Sequence, residues 1–151
     1  MEKRLREIED LIKEKIPMTS HLAFKLISFE NDELKLSCPL KENENHHGTI
    51  FGGSLAMASI VSGYSLTFTA LEDRLGKDWD DLYQLVIKDF ACDYKRPVHS
   101  DTVCVSRPET PIFEFVETLL RKGKARLKVK TVISDDEERL ACEATYVAYK
   151  K

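Results

Sequence analysis

The chain has 151 residues, 32% of them charged, and a formal net charge of −3. That length supports one domain, 1–151, with a real core, and the acidic balance gives no reason to expect a nucleic-acid partner. Cys38, Cys92, Cys104 and Cys142 lie far apart in apolar or strand-like runs without a C-x-x-C, so they read as reduced, buried thiols rather than a Cys nucleophile.

Leu5, Ile8, Ile12 and Ile16 recur at helical spacing and predict a peripheral amphipathic helix over 1–17, ended by Pro17. Its charged face is unlike a signal peptide, so the chain is expected in the cytoplasm. Residues 21–29 and 33–38 alternate as two strands, with Asn31 and Asp32 forming the turn of a hairpin. The segment from Asn45 to Leu71 follows, and it contains no Asp, Glu, Lys or Arg. It opens with the loop HHGTIFGGS and continues as SLAMASIVSGYSLTFTAL, a helix expected to be buried on every side.

Within that helix, Met57, Val61, Tyr64, Phe68 and Leu71 form a large apolar stripe. Ser54, Ala58, Ser62, Ser65 and Thr69 form a neighbouring stripe of small residues that permits close approach. An uncharged run of this length raises a membrane span, but the interspersed Ser, Thr and Gly and the flanking Glu44, Glu72 and Asp73 argue for a central helix without membrane contact. Beyond it, LYQLVIKDFACDYKRPV reads as a long strand ended by Pro97, and DTVCVSR as a shorter one. Thr110 and Pro111 are expected to cap a helix carrying Ile112, Phe115, Val116, Leu119 and Leu120, closed by Gly123. Two alternating strands, KARLKVKTVIS and ERLACEATYVAY, complete the chain around the acidic turn at Asp135, Asp136 and Glu137.

About six strands, one buried helix and two peripheral helices predict an α+β domain whose antiparallel sheet wraps the central helix. Exposed sheet edges in such a domain favour pairing with a second copy, as a homodimer or a dimer of dimers.

Several residues are candidates for chemistry. The glycine-rich entry to the helix presents free N–H groups of Gly52, Gly53 and Ser54 to a negative oxygen. An uninterrupted period of two along the long strand sets Asp89 in a row with Leu85, Ile87 and Ala91. A carboxylate there would be desolvated, with a raised pKa, and a candidate general base. Asn45 and His47 lie in the loop and can orient a carbonyl or water, while both also suit a solvent-exposed turn. No spacing of the H-E-x-x-H kind is present, so neither a metal nor a cofactor is assigned. Ser54, Ser59 and Ser62 lack a G-x-S-x-G elbow and read as packing residues. Lys95 and Arg96, with the alternating basic residues of the fifth strand, offer cations for the phosphates of a nucleotide-bearing ligand.

The order of hairpin, Asn-x-His-Gly-Thr-x-Phe-Gly-Gly-Ser loop, uncharged helix and Asp-bearing strand ending in Tyr-x-x-Pro-Val resembles the hotdog-fold thioesterases. It is most similar to the YiiD C-terminal domain family. Asn45, His47, Thr49, Phe51, Gly53, Ser54, Gly63, Asp89, Tyr94, Pro97 and Val98 stand where that family's pattern has them, and Tyr64 replaces an expected Trp. The resemblance implies the hotdog fold, a dimer with a continuous sheet, and hydrolysis of an acyl thioester, usually an acyl-CoA.

On that basis Gly53 would hold the carbonyl oxygen, Asp89 of a partner subunit would activate water, and Asn45 or His47 would position it. Phe51, Gly52, Ser54, Lys95 and Arg96 would contact substrate. Better-known hotdog branches carry an acid on the central helix, seven residues past the second Gly of the loop, and here that residue is Ile60. Its absence keeps two alternatives open, a non-catalytic acyl-CoA-binding or regulatory protein and a hotdog dehydratase or hydratase.

Overall fold

The computed structural model describes residues 1–151. An N-terminal helix α1 (Glu2–Lys15) and a 3-10 turn over Pro17–Leu22 lead into strands β1 (Lys25–Glu30) and β2 (Glu33–Cys38). The central helix α2 (Gly52–Leu75) is followed by one short turn of helix, α3 (Trp79–Leu82), then β3 (Tyr83–Tyr94) and β4 (Thr102–Pro108). Helix α4 (Ile112–Lys122) and strands β5 (Lys124–Ser134) and β6 (Glu138–Lys150) complete it. The six strands form one sheet in the order β1-β2-β4-β5-β6-β3, antiparallel at every pairing. β1 and β3 are therefore its edges.

Local chemistry explains most boundaries. Asn31 and Asp32 both take positive φ, 50° and 61°, as a two-residue hairpin turn between twisted strands requires. Gly123 ends α4 in the left-handed conformation at φ 75° and donates to the Leu119 carbonyl. Residues 17–22, part of which was expected in the first strand, instead form the 3-10 turn, because Pro17 supplies the φ of a helical first turn and Thr19 and Ser20 bond back to the Ile16 and Pro17 carbonyls. The N-cap of α4 is Pro111, with no side-chain bond from Thr110.

Helix α2 lies across the concave face of the sheet. It is long and apolar enough to cross a membrane by composition, and that apolarity is used against the strands: Ala58, Leu66 and Leu71 are fully buried. The small-residue stripe faces the sheet, where the Ser62 hydroxyl meets Ser106 at 2.7 Å and Ser106 meets Thr131 at 2.6 Å, so a buried hydroxyl chain is satisfied internally. On the other side the helix is less covered than the sequence suggests. Met57, Ile60 and Tyr64 are only partly buried, beside α1 and the 3-10 turn.

Two further departures involve β3. Cys92 and Cys142 stand directly opposite each other in the β3–β6 pair, with Cα atoms 4.2 Å apart, as a cross-strand disulfide rather than two separate thiols. Cys38 and Cys104 are free and buried, and burial pushes the Cys38 thiol up to about 11. The second departure is a bulge. Ile87 pairs with Tyr146 and Asp89 with Thr145, so Lys88 is the extra residue and the inward face switches from Tyr83, Leu85 and Ile87 to Phe90, Cys92 and Tyr94.

Candidate active site at the start of the central helix

The loop before α2 is held in place by asparagines. Asn43, which the sequence did not single out, is buried; its amide donates to the Leu22 carbonyl at 2.8 Å and the Pro39 carbonyl at 2.9 Å, and its own carbonyl accepts Phe51 N–H at 2.8 Å. The Asn45 side-chain oxygen accepts the N–H groups of His47 at 2.9 Å and Thr49 at 3.2 Å, while its amide donates to the Thr49 hydroxyl at 2.9 Å. The Asn45 side chain thus organises the loop rather than standing free for substrate. Gly48 at φ 76° allows the reversal, and Ile50 N–H donates to the Val98 carbonyl at 2.9 Å, fastening the loop to the segment after β3.

Helix α2 begins at Gly52, and its first ladder bond runs from Leu55 N–H to the Phe51 carbonyl at 3.1 Å. The N–H groups of Gly52, Gly53 and Ser54 precede that bond and face outward along the positive end of the helix dipole. Phe51 is 58% exposed and its ring lies over Gly53, where a Cβ would collide with it. Tyr94, at the end of β3, donates its hydroxyl to the Gly52 carbonyl at 2.7 Å. His46 and His47 are exposed, with ring centroids 3.8 Å apart. No three His, Cys, Asp or Glu side chains are grouped as a metal site.

A hollow of about 280 Å³ opens beside the helix start, walled by Gly52, Leu55, Tyr94, Lys95, Arg96 and Val98. Lys95 and Arg96 thus belong to the site, though each has a partner there. Lys95 pairs with Glu138, which raises the ammonium's pKa and lowers the carboxyl's, and Arg96 pairs with Glu137 at 2.9 Å. Along the same helix, a second cavity of about 250 Å³ is walled by Met57, Ile60 and Tyr64, with Ile16, Met18 and Ile87 opposite. Thr19 supplies its one polar side chain apart from the Tyr64 hydroxyl. Ile60 therefore contributes a wall where an acid would stand in other branches.

Within one chain, Asp89 does not reach this site. The bulge at Lys88 turns it out of the expected apolar row, so it pairs with Thr145 on the face of the sheet away from α2, where its charge acts on Lys128. Its side chain is 62% exposed, with Lys88 3.9 Å away, rather than desolvated. Five residues of strand, roughly 16 Å, separate it from Tyr94. Asn45, Phe51, Gly52, Gly53 and Ser54 lie together in the loop and first turn of α2, where Asn43 and Tyr94 join them, while the exposed His47 ring lies against His46.

The family model described as "Putative thioesterase (yiiD_Cterm)" matches residues 5–150. Among solved structures, a Shewanella oneidensis protein called a "putative thioesterase" superposes with TM-score 0.84 at 24% identity, covering 99% of each chain. A Pseudomonas aeruginosa "Probable Thioesterase" gives 0.72 at 21% identity, covering 97% of this chain and 95% of that one. A Haemophilus influenzae thioesterase gives 0.71 at 15% identity, covering 97% and 90%. At these identities the structures establish the shared hotdog fold, and the family match over nearly the whole chain carries the assignment. With its loop, central helix and wrapped sheet in place, the chain belongs to the YiiD C-terminal thioesterase family of hotdog proteins.

Proposed function

We propose that the protein hydrolyses acyl-CoA thioesters. The observation that carries this reading is the single helix face running from Gly53 through Met57 and Ile60 to Tyr64, at offsets of 4, 7 and 11 residues. It joins unbonded N–H groups at one end to an apolar cavity that begins within one turn of them. A rise of about 1.5 Å per residue gives the path a length of roughly 16 Å, which suits an acyl chain laid along the helix with its carbonyl at the N-terminus.

In this reading the Gly53 N–H holds the carbonyl oxygen, and negative charge gathering there in the tetrahedral intermediate meets the helix dipole. A water attacks the carbonyl carbon, His47 accepts its proton, and the C–S bond breaks to give a carboxylate and a free thiol. Lys95 and Arg96 exchange their surface carboxylate partners, which are weakly held, for phosphates of the CoA. The exposed edge of β3 supports a homodimer in which two such strands pair.

Ile60 favours a second reading, an acyl-CoA-binding protein without turnover. Thiol release from acyl-CoAs of graded chain length separates the two: hydrolysis with a chain-length optimum supports the first, and saturable binding without thiol release supports the second.

A further inference from the structure

Tyr94 is half exposed, yet its hydroxyl donates inward to the Gly52 carbonyl at 2.7 Å. That acceptor needs no extra partner. The ladder that starts with Leu55 N–H on the Phe51 carbonyl continues with Ala56 N–H on Gly52, so this carbonyl is already satisfied by the helix. The additional bond falls on one particular peptide unit, whose other end is the Gly53 N–H. Resonance couples the two ends of a peptide, so a donor on the oxygen strengthens the N–H as a donor and restrains the plane in which it points. The Tyr94 ring also walls the hollow beside the helix start, and a Cβ on Gly52 would lie 3.5 Å from it, an ordinary contact that leaves the ring in place.

We infer that Tyr94 is a positioning residue for the thioester, acting through the Gly52–Gly53 peptide to aim and strengthen the Gly53 N–H at the developing oxyanion. The inference rests on the reading of Gly53 as the donor to that oxygen. β3 brings the tyrosine there: it follows the Lys88 bulge by six residues, and the switch of face is what turns Phe90, Cys92 and Tyr94 toward the helix. The bulge that removes Asp89 from the site therefore delivers Tyr94 to it.

The test compares full-length wild type, Tyr94→Phe and Tyr94→Leu by steady-state kinetics on the acyl-CoA that the wild type cleaves best, and by the amide resonance of Gly53. A positioning role predicts that Tyr94→Phe loses about three- to tenfold in kcat, the range of one hydrogen bond, with KM within about twofold and a shifted Gly53 resonance. A packing role predicts that Tyr94→Phe behaves as wild type and only Tyr94→Leu is impaired, which would overturn the inference. Absence of turnover by the wild type on every chain length would overturn the hydrolase reading instead. The resonance then decides alone: a Gly53 amide unmoved in Tyr94→Phe rejects the role, and a moved one upholds the coupling.

Discussion

The ring of Tyr146 lies directly against Gly63, so that a Cβ built on the glycine would stand 2.8 Å from the ring edge. The ring is fully buried on β6 and its hydroxyl donates to the Ile60 carbonyl at 2.6 Å, one turn earlier on α2. Burial pushes the Tyr146 pKa upward, which keeps the phenol neutral and the bond made. The missing side chain at Gly63 is what makes room for the ring.

Gly63→Ala is therefore expected to destabilise the fold although alanine is the better helix former. The helix gains about 1 kcal/mol from the exchange, while overpacking against a ring that cannot swing away costs about 1–3 kcal/mol. A lower urea midpoint with an unchanged slope checks this, and Tyr146→Phe in the same background tests the coupling, which should be non-additive. A midpoint equal to or above that of the wild type would show that the ring yields.

Asp89→Asn is expected to leave kcat/KM within about threefold of the wild type, because the carboxylate stands on the far face of the sheet. Extending the sheet across β3 into a second copy does not carry a side chain through it. His47→Ala, by contrast, should lower turnover by about a hundredfold or more if it serves as the base. A hundredfold loss in Asp89→Asn, with retained fold and mass, would return Asp89 to the mechanism.

These two residues show what a single sequence discloses. Helix α4 was legible because Ile112, Phe115, Val116 and Leu119 are buried at helical spacing and Gly123 closes it, and β5 because Ala125, Leu127 and Val129 are buried between exposed basic residues. The hairpin turn at Asn31 and Asp32 was likewise a local signal. The face of Asp89 was not, since a two-residue period presumes an unbroken ladder, and the one-residue bulge at Lys88 inverts everything after it. Asn43 looks like any loop asparagine until Leu22 and Pro39 close around it. Tyr94 and Gly52, 42 residues apart, and Cys92 and Cys142, 50 apart, meet only through the fold. Local chemistry sets elements; contacts across long separations set the site.

Ile60→Trp is expected to shorten the preferred acyl chain. Ile60 sits midway along the helix face, and an indole there fills part of the 250 Å³ cavity while leaving Gly53 untouched. Each methylene denied burial forgoes about 0.8 kcal/mol, so two lost methylenes give about a tenfold drop in kcat/KM for the longest substrates. Turnover of the shortest acyl-CoA should stay within about threefold. A uniform loss across the panel would place the chain elsewhere.

The free edge of β3 leads to the final expectation. Its 12 residues pair on one side only, with β6, and Val86 and Ile87 are 42% and 39% exposed along it. A long edge of this kind pairs with another strand unless it is guarded, and the single bulge at Lys88 leaves regular strand on either side of it free to pair. Light scattering is expected to give twice the chain mass of 17.3 kDa. In the dimer, the β3 amides that do not donate to β6 should be protected from hydrogen exchange. Val86→Lys combined with Ile87→Lys sets four like charges along the joint and should yield a folded monomer whose β3 amides exchange rapidly. A wild type of single-chain mass, with those amides unprotected, would mean that the edge stays open and that the site is completed within one chain.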